Sequence, residues 1–514
     1  MRILYLFLVL GKLRLLSLKG LYQIALAIRH YGINVMVLLK VAASMHGPKE
    51  ALVDEKGSVS YRQLLEESER LSILLKHQYG LGSGRKVGFL CKNHASFVKA
   101  VFAVSLTGAD LCLLHPEMSL RQFNQWLGDH DPDLLVYDAE LTSYLERSSY
   151  AKEKLASDSL SNIDGLFESN GWEGEKPSRT SSSRLQLMTG GTTGVPKKVE
   201  HRPSLFDYLP PFYALLTRLP LLQHRTAYIA TPLFHGYGIA FLFLLLALGK
   251  KIVLTPGFHA GKACDLIRKH EVGIVTAVPL MIQKILKQSR ELPSLGCLIS
   301  GGAQLHPKLA AEVFHRFGDV LYNLYGTSEA GINLVATPQD LRYSPQTLGK
   351  KVPGARLQVR DDRNRELGAG QVGQFCIKNS WSMRNRGRAW IETGDLGYRD
   401  RNGYYFLCGR TDDLIVSAGE NVYPLEIEQA LIDHPDVEDA VVIGIRDEAY
   451  GQRLRAIVQP TEAATLTPES LMDWLRPRLA RYQLPKEILL ADEIPYTHLG
   501  KRDKKLPKEK TGEG

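Results

Sequence analysis

The chain has 514 residues, 44% hydrophobic and 23% charged, which suffices for several packed cores and about three structural units. Six cysteines lie far apart with no CxxC pair, which excludes a zinc ribbon and a disulfide framework and fits a reducing cytoplasm. The formal net charge of +9 is carried by the two ends of the chain, so a general nucleic-acid surface is excluded and no nucleic-acid partner is expected.

From Met1 to Lys49 there is no Asp or Glu, while Arg2, Lys12, Arg14, Lys19, Arg29, Lys40 and Lys49 are basic. The apolar runs here are too short for a bilayer span, which needs about 20 residues. Leucines mixed with Lys and Arg suit an amphipathic helix on an anionic membrane surface, at the inner face of the membrane. They equally suit a helical extension packed on the body of the protein. Both readings stand at this level for residues 1–48.

Beyond Lys49 the pattern becomes mixed. Residues 51–58 read as a hairpin and Tyr61–His77 as a helix. Apolar strands at 86–91, 109–114 and 134–137 alternate with helices at 95–106 and 120–129, the pattern of a parallel sheet covered on both faces. Residues 157–183, rich in Ser, Gly and charge, read as a connector. A second alternating region has strands at 227–230, 251–254, 273–277 and 295–300. Between the first two lies Ile239–Leu248, too short to span a membrane and apolar enough for a buried helix. Residues 355–378 read as β-hairpins with Gly turns. A last unit with strand, helix and strand patterns begins near Arg410.

The most informative segment is Gln186–Lys198, QLMTGGTTGVPKK. An apolar strand runs into Thr189, Gly190, Gly191, Thr192, Thr193 and Gly194. Glycines let backbone N–H groups approach an anion closely, threonine hydroxyls add donors, and Lys197 adds charge. The GxxxxGK[ST] spacing is absent, so an ordinary P-loop ATPase is disfavoured.

This segment resembles the Ser/Thr/Gly-rich phosphate loop of the adenylate-forming superfamily, which includes acyl-CoA synthetases, peptide-synthetase adenylation domains and luciferases. Further matches follow in the same order: Pro232–Gly238 (PLFHGYG), Ser300–Leu305 (SGGAQL), Tyr325–Gly331 (YGTSEAG), Thr393–Gly397 (TGDLG), Gly409–Asp413 (GRTDD), Ser417–Glu428 (SAGENVYPLEIE) and Ile494–Lys501 (IPYTHLGK). They cover roughly residues 51–506. The resemblance implies a large N-terminal multi-subdomain α/β body at 49–410 and a small mobile C-terminal α+β domain at 411–514.

It also implies a chemistry. A carboxylate attacks the α-phosphate of ATP, and the acyl group then passes to coenzyme A. Two anions must meet, so the site must supply positive charge and hydrogen-bond donors. Thr189 to Lys197 would hold the β- and γ-phosphates, Thr327 would touch the α-phosphate, and Glu329 would carry Mg²⁺. Tyr325 resembles the aromatic that stacks on adenine, with Gly301, Gly302 and Ala303 lining the ring. Asp395 resembles the carboxylate that accepts from the ribose hydroxyls, and Arg410 would add a second contact. Lys501 matches the lysine that neutralises charge as pyrophosphate leaves. Taken alone, it is one lysine in a basic tail. Asp412 matches the hinge, Gly419 would line the path of the pantetheine thiol, and His235 resembles a residue beside the acyl pocket.

Some positions depart from the family pattern. Lys198 stands where glycine is usual, and the stretch between Ile377 and Thr393 is short. Acetate-activating relatives carry Trp where this chain has Gly326, which suggests an open pocket and a larger acid. A medium- or long-chain fatty acid is the first expectation and an aryl acid the second. A ligase that loads a carrier-protein thiol, and a non-catalytic AMP- or acyl-binding relative, are the alternatives.

Overall fold

The computed structural model describes residues 2–12, 17–162, 174–180, 183–189, 197–201, 207–382, 389–417, 420–447, 451–462, 464–497 and 502. Three helices, Arg2–Lys12, Leu18–Tyr31 and Met36–His46, open the chain. Met36, Leu39 and Ala42 are buried in the same core as Leu64, Phe102 and Phe241, so the third helix is built into the body. The Tyr31 hydroxyl donates to Glu69. Asn34 Nδ2 donates to the carbonyls of Tyr31 (2.8 Å) and Thr180 (3.1 Å). The extension is thus packed, although Leu4, Phe7 and Tyr22 remain exposed. Among the described residues no helix is long and apolar enough to cross a membrane.

Three sheets follow. The first, of six strands, has five parallel strands in the spatial order 153–156, 134–137, 86–90, 110–113 and 185–189, with 197–201 antiparallel at the edge. Helices 95–107 and 120–130 connect its strands, and helix 61–79 leads into strand 86–90. Capping boxes at Ser60/Gln63 and Ser119/Gln122 start two of them by satisfying backbone N–H groups that have no partner in the first turn. The second sheet has thirteen strands. Its centre, 251–254, 226–229, 274–277, 297–301 and 321–327, is parallel. The first four of these strands read as nearly continuous apolar runs because both faces are covered. From 331–336 onward the sheet turns antiparallel, through 347–351, 405–410, 391–399, 373–378 and 356–360.

Helix Gly236–Ala247 is apolar all round and buried between these layers, as its composition predicts. The third sheet has its own core, Ile415, Ile427, Leu431, Val442, Leu454, Val458, Leu471 and Ile488. It is built on the long hairpin 437–447/451–460 and the helix 424–432. Lys308 Nζ reaches the carbonyl of Val437 (3.2 Å), and Lys287 pairs with Glu438, so two lysines of the body hold this unit. All six cysteines are free thiols.

Candidate active site

In open α/β sheets, ligands bind outside the carboxyl ends of the strands. That edge is where the motifs gather. Gly301, Gly302 and Ala303 follow strand 297–301, Tyr325 to Thr327 end strand 321–327, and His235 follows strand 226–229. All of them line one cleft of about 2500 Å³ with Glu329, Asp395, Arg410 and Asp412, and with Tyr496, Thr497 and Arg502 from the C-terminal unit.

Local geometry explains several of these residue types. Gly302 adopts φ +79°, which favours glycine at the strand exit. A Cβ at Gly238 would lie 2.1 Å from the Pro232 carbonyl oxygen, so the turn that delivers His235 to the helix start needs glycine there. At Gly326 a Cβ would sit 2.4 Å from the Gly331 carbonyl oxygen, in the bulge of the hairpin 321–327/331–336. Gly326 is therefore required by a close backbone approach, and it also lines the cleft. Thr327 Oγ1 accepts from the Ala330 N–H (3.1 Å) and shapes the turn that presents Glu329. Glu329 is half-buried and has no ion pair among the described residues.

Asp395 and Arg410 are direct cross-strand partners. Arg410 Nη1 donates to Asp395 Oδ1 (2.9 Å) and Nε to Asp412 Oδ1 (2.9 Å). The buried Tyr325 hydroxyl donates to the other Asp395 oxygen (2.7 Å). Burial and the Asp395 charge push the Tyr325 phenol well above its ordinary value. Burial works against the charge of Arg410, but its carboxylate partners override that and hold its pKa up. These four residues form one network spanning the body and the first residues beyond Arg410.

The phosphate-loop residues Gly190, Gly191, Thr192, Thr193 and Gly194, and also Gly419 and Lys501, lie outside the described residues, as do the side chains of Thr189 and Lys197. The backbone of Thr189 ends strand 185–189 and that of Lys197 begins strand 197–201, paired antiparallel with it.

The motifs did not reveal what seats the end of the chain. Arg502 follows Lys501 directly. Its Nε donates to Asp439 Oδ1 (2.8 Å) and Nη1 to Glu428 Oε2 (3.2 Å). Tyr496 donates to Asp439 and pairs with Arg502 across an antiparallel bridge. His306, which precedes helix 307–317, lies close to this cluster with both ring nitrogens buried and no hydrogen-bond partner among the described residues. Burial and then the Arg502 charge lower its pKa to about 4. The basic residue after Lys501 was the one available signal.

The sequence model of the AMP-binding enzyme family matches residues 39–385, and that of the AMP-binding enzyme C-terminal domain matches 426–501. The chain belongs to the AMP-binding enzyme family. It is an AMP-forming acid–thiol ligase, as its motifs predict. Among its relatives, the fatty acid–[acyl-carrier-protein] ligase ScoC of Streptomyces coeruleorubidus is 29% identical, over 92% of this chain and 96% of that one. The indoleacetate–CoA ligase of Aromatoleum aromaticum is 28% identical, over 89% and 94%. Among solved structures, ATP-bound MatB from Rhodopseudomonas palustris superposes with a TM-score of 0.81 at 22% identity, covering 93% of this chain and 99% of MatB. That likeness establishes the fold: a large α/β body with a small C-terminal domain.

Proposed function

We propose that the protein activates a medium- or long-chain fatty acid with ATP and transfers the acyl group to coenzyme A, releasing AMP and pyrophosphate. The observation that carries this is the continuity of the cleft. It runs from the Tyr325–Asp395–Arg410 network past His235 and along the apolar helix 236–247. A carboxylate placed beside His235 has a nucleotide pocket on one side and hydrocarbon surface on the other.

In this reading the body is 49–410 and the moving domain 411–514. The carboxylate oxygen bonds to the α-phosphorus as the bond to the bridging oxygen breaks and pyrophosphate leaves. Asp395 accepts from the ribose, Tyr325 and the 301–303 turn hold adenine, and Lys501 and the 189–197 loop balance the phosphate charge. Glu329, a carboxylate lining the cleft with no ion pair among the described residues, suits Mg²⁺, which would neutralise phosphate charge when bound. The thiol sulfur then attacks the acyl carbon and AMP departs, after the domain turns about Asp412.

Pyrophosphate release with Mg-ATP, screened against acids from acetate to palmitate and several aryl acids, tests the reading. Release that depends on fatty acid, with an acyl-CoA product when CoA is added, supports it. Binding of ATP without release for any acid would refute it in favour of a non-catalytic relative. The fatty acid–[acyl-carrier-protein] ligase among the relatives favours a carrier-protein thiol as the second reading. Product formed with a phosphopantetheinyl carrier protein and not with CoA would establish that acceptor.

The exposed Leu4, Phe7 and Tyr22 sit on helices that carry basic but no acidic residues, which supports peripheral contact of residues 1–40 with an anionic bilayer. Sedimentation with phosphatidylserine vesicles should be salt-sensitive; no binding at low salt removes the idea.

A further inference from the structure

The cleft does not stop at the body. Its lining includes Leu10, Ile24, Ile28, Leu38 and Val41 among nine residues of the N-terminal segment 9–41, every one apolar. Leu21, Ile24 and Ile28 fall on one helix face at spacings of three and four, and so do Leu38 and Val41 at a spacing of three, with Val35 just before that helix. The basic Lys12, Lys19 and Arg29 of the same helices are exposed and take no part in the lining. Ile24, Ile28, Leu38 and Val41 are only half-buried although apolar, because they face a cavity and not a packed neighbour.

Helix 236–247 connects this region to the reacting end. Gly236, Ile239, Ala240, Phe243, Leu244 and Ala247 all line the cleft and lie on one face. From Gly236 to Ala247 the helix rises about 16 Å, at 1.5 Å per residue. It begins beside His235 and packs at its far end against the helix Met36–His46. The family match begins at residue 39, so the first two of these helices lie outside it.

We infer that the N-terminal helices are the end wall of the acyl pocket: an apolar chamber that takes the hydrocarbon tail of a long, unbranched monocarboxylic acid and limits its length. This rests on the fatty-acid reading of the preceding subsection and assigns its specificity to residues 9–41. An apolar cavity loses contacts when empty and regains them when an alkyl chain fills it. Among the described lining residues contributed by these helices none is charged, so a second carboxylate on the acid would be buried there without a partner. Dicarboxylic acids long enough to bring the second carboxylate into the chamber are excluded on that ground. The wall is fixed in place by the Tyr31–Glu69 and Asn34–Thr180 hydrogen bonds.

The test is the ratio of kcat/KM for palmitate to that for hexanoate, by pyrophosphate release, in the full-length enzyme and in Ile28→Trp and Ala247→Phe, which fill the chamber from opposite sides. A second readout needs no turnover: displacement of the fluorescent fatty acid cis-parinarate by palmitate. Each buried methylene is worth about 0.8 kcal/mol, so displacing two or three from the chamber lowers the ratio by roughly 15- to 60-fold. Palmitate affinity should fall with it. A ratio unchanged in both variants while the full-length enzyme uses palmitate overturns the wall alone. An enzyme that turns over only aryl acids overturns the fatty-acid reading and the inference together. If one variant fails to fold, the other decides.

Discussion

Replacing Arg502 by alanine tests how the end of the chain is seated. Arg502 pairs with two deeply buried carboxylates; the side chains of Glu428 and Asp439 are 2% and 6% exposed. Breaking such a cluster by removing one partner costs about 3–5 kcal/mol, because the remaining charges are left buried. Part of that cost is relieved if the segment bearing Lys501 leaves its seat. If about 2 kcal/mol is relieved in this way, the seated fraction falls roughly 30-fold. With Lys501 in its proposed role, ATP–pyrophosphate exchange should fall by that factor, while thioester formation from supplied acyl-adenylate should fall far less. Arg502→Lys should lie between, since a lysine keeps the charge but loses the planar fork. Normal exchange in a folded Arg502→Ala enzyme, or equal loss in both half-reactions, would refute the reasoning.

Lys501→Ala should lower pyrophosphate exchange by on the order of 10²-fold with little effect on the thioester step; both rates are read in the same two assays. Gly238→Ala forces a Cβ against the Pro232 backbone, and thermal unfolding should show a loss of about 1–3 kcal/mol, with a raised KM for the acid as His235 shifts. His306 gives a pH dependence. An unfolded imidazole takes a proton near its ordinary value, whereas the folded one refuses it until about 4. Between those values the unfolded chain binds more protons, so stability falls as pH drops from about 6.5 to 4, by about 3 kcal/mol. Tm measured across that range should slope less in His306→Leu than in the parent; parallel slopes would exclude His306 as the source.

Much of the parallel half of the molecule is legible in the chain. Its strands are short apolar runs set between helical patterns, and 86–90, 134–137 and 251–254 lie within a residue of where the pattern puts them. The antiparallel half is less legible, because strands such as 331–336 and 347–351 are partly exposed hairpin elements whose partners are chosen by register and not by composition. Likewise the motifs name Asp395, Tyr325 and Arg410 separately, but the bond between Tyr325 and Asp395 joins residues 70 apart. The partners of Arg502 are 63 and 74 residues away, and no local pattern announces them. The backbone constraint on Gly326 is hidden for the same reason: it comes from the facing strand. The N-terminal helices suited two readings because composition counts basic residues without saying which face carries them.

A helix used as the side of a pocket behaves as a ruler graduated in turns. Along 236–247 the marks are Ile239/Ala240, Phe243/Leu244 and Ala247, and successive marks stand one turn, about 5.4 Å, apart. A bulky residue at one mark would stop an alkyl chain there, so engineered changes in length preference should come in steps of several carbons at a time. Intermediate lengths would have to be set from the opposite side, by the independently placed faces of the N-terminal helices.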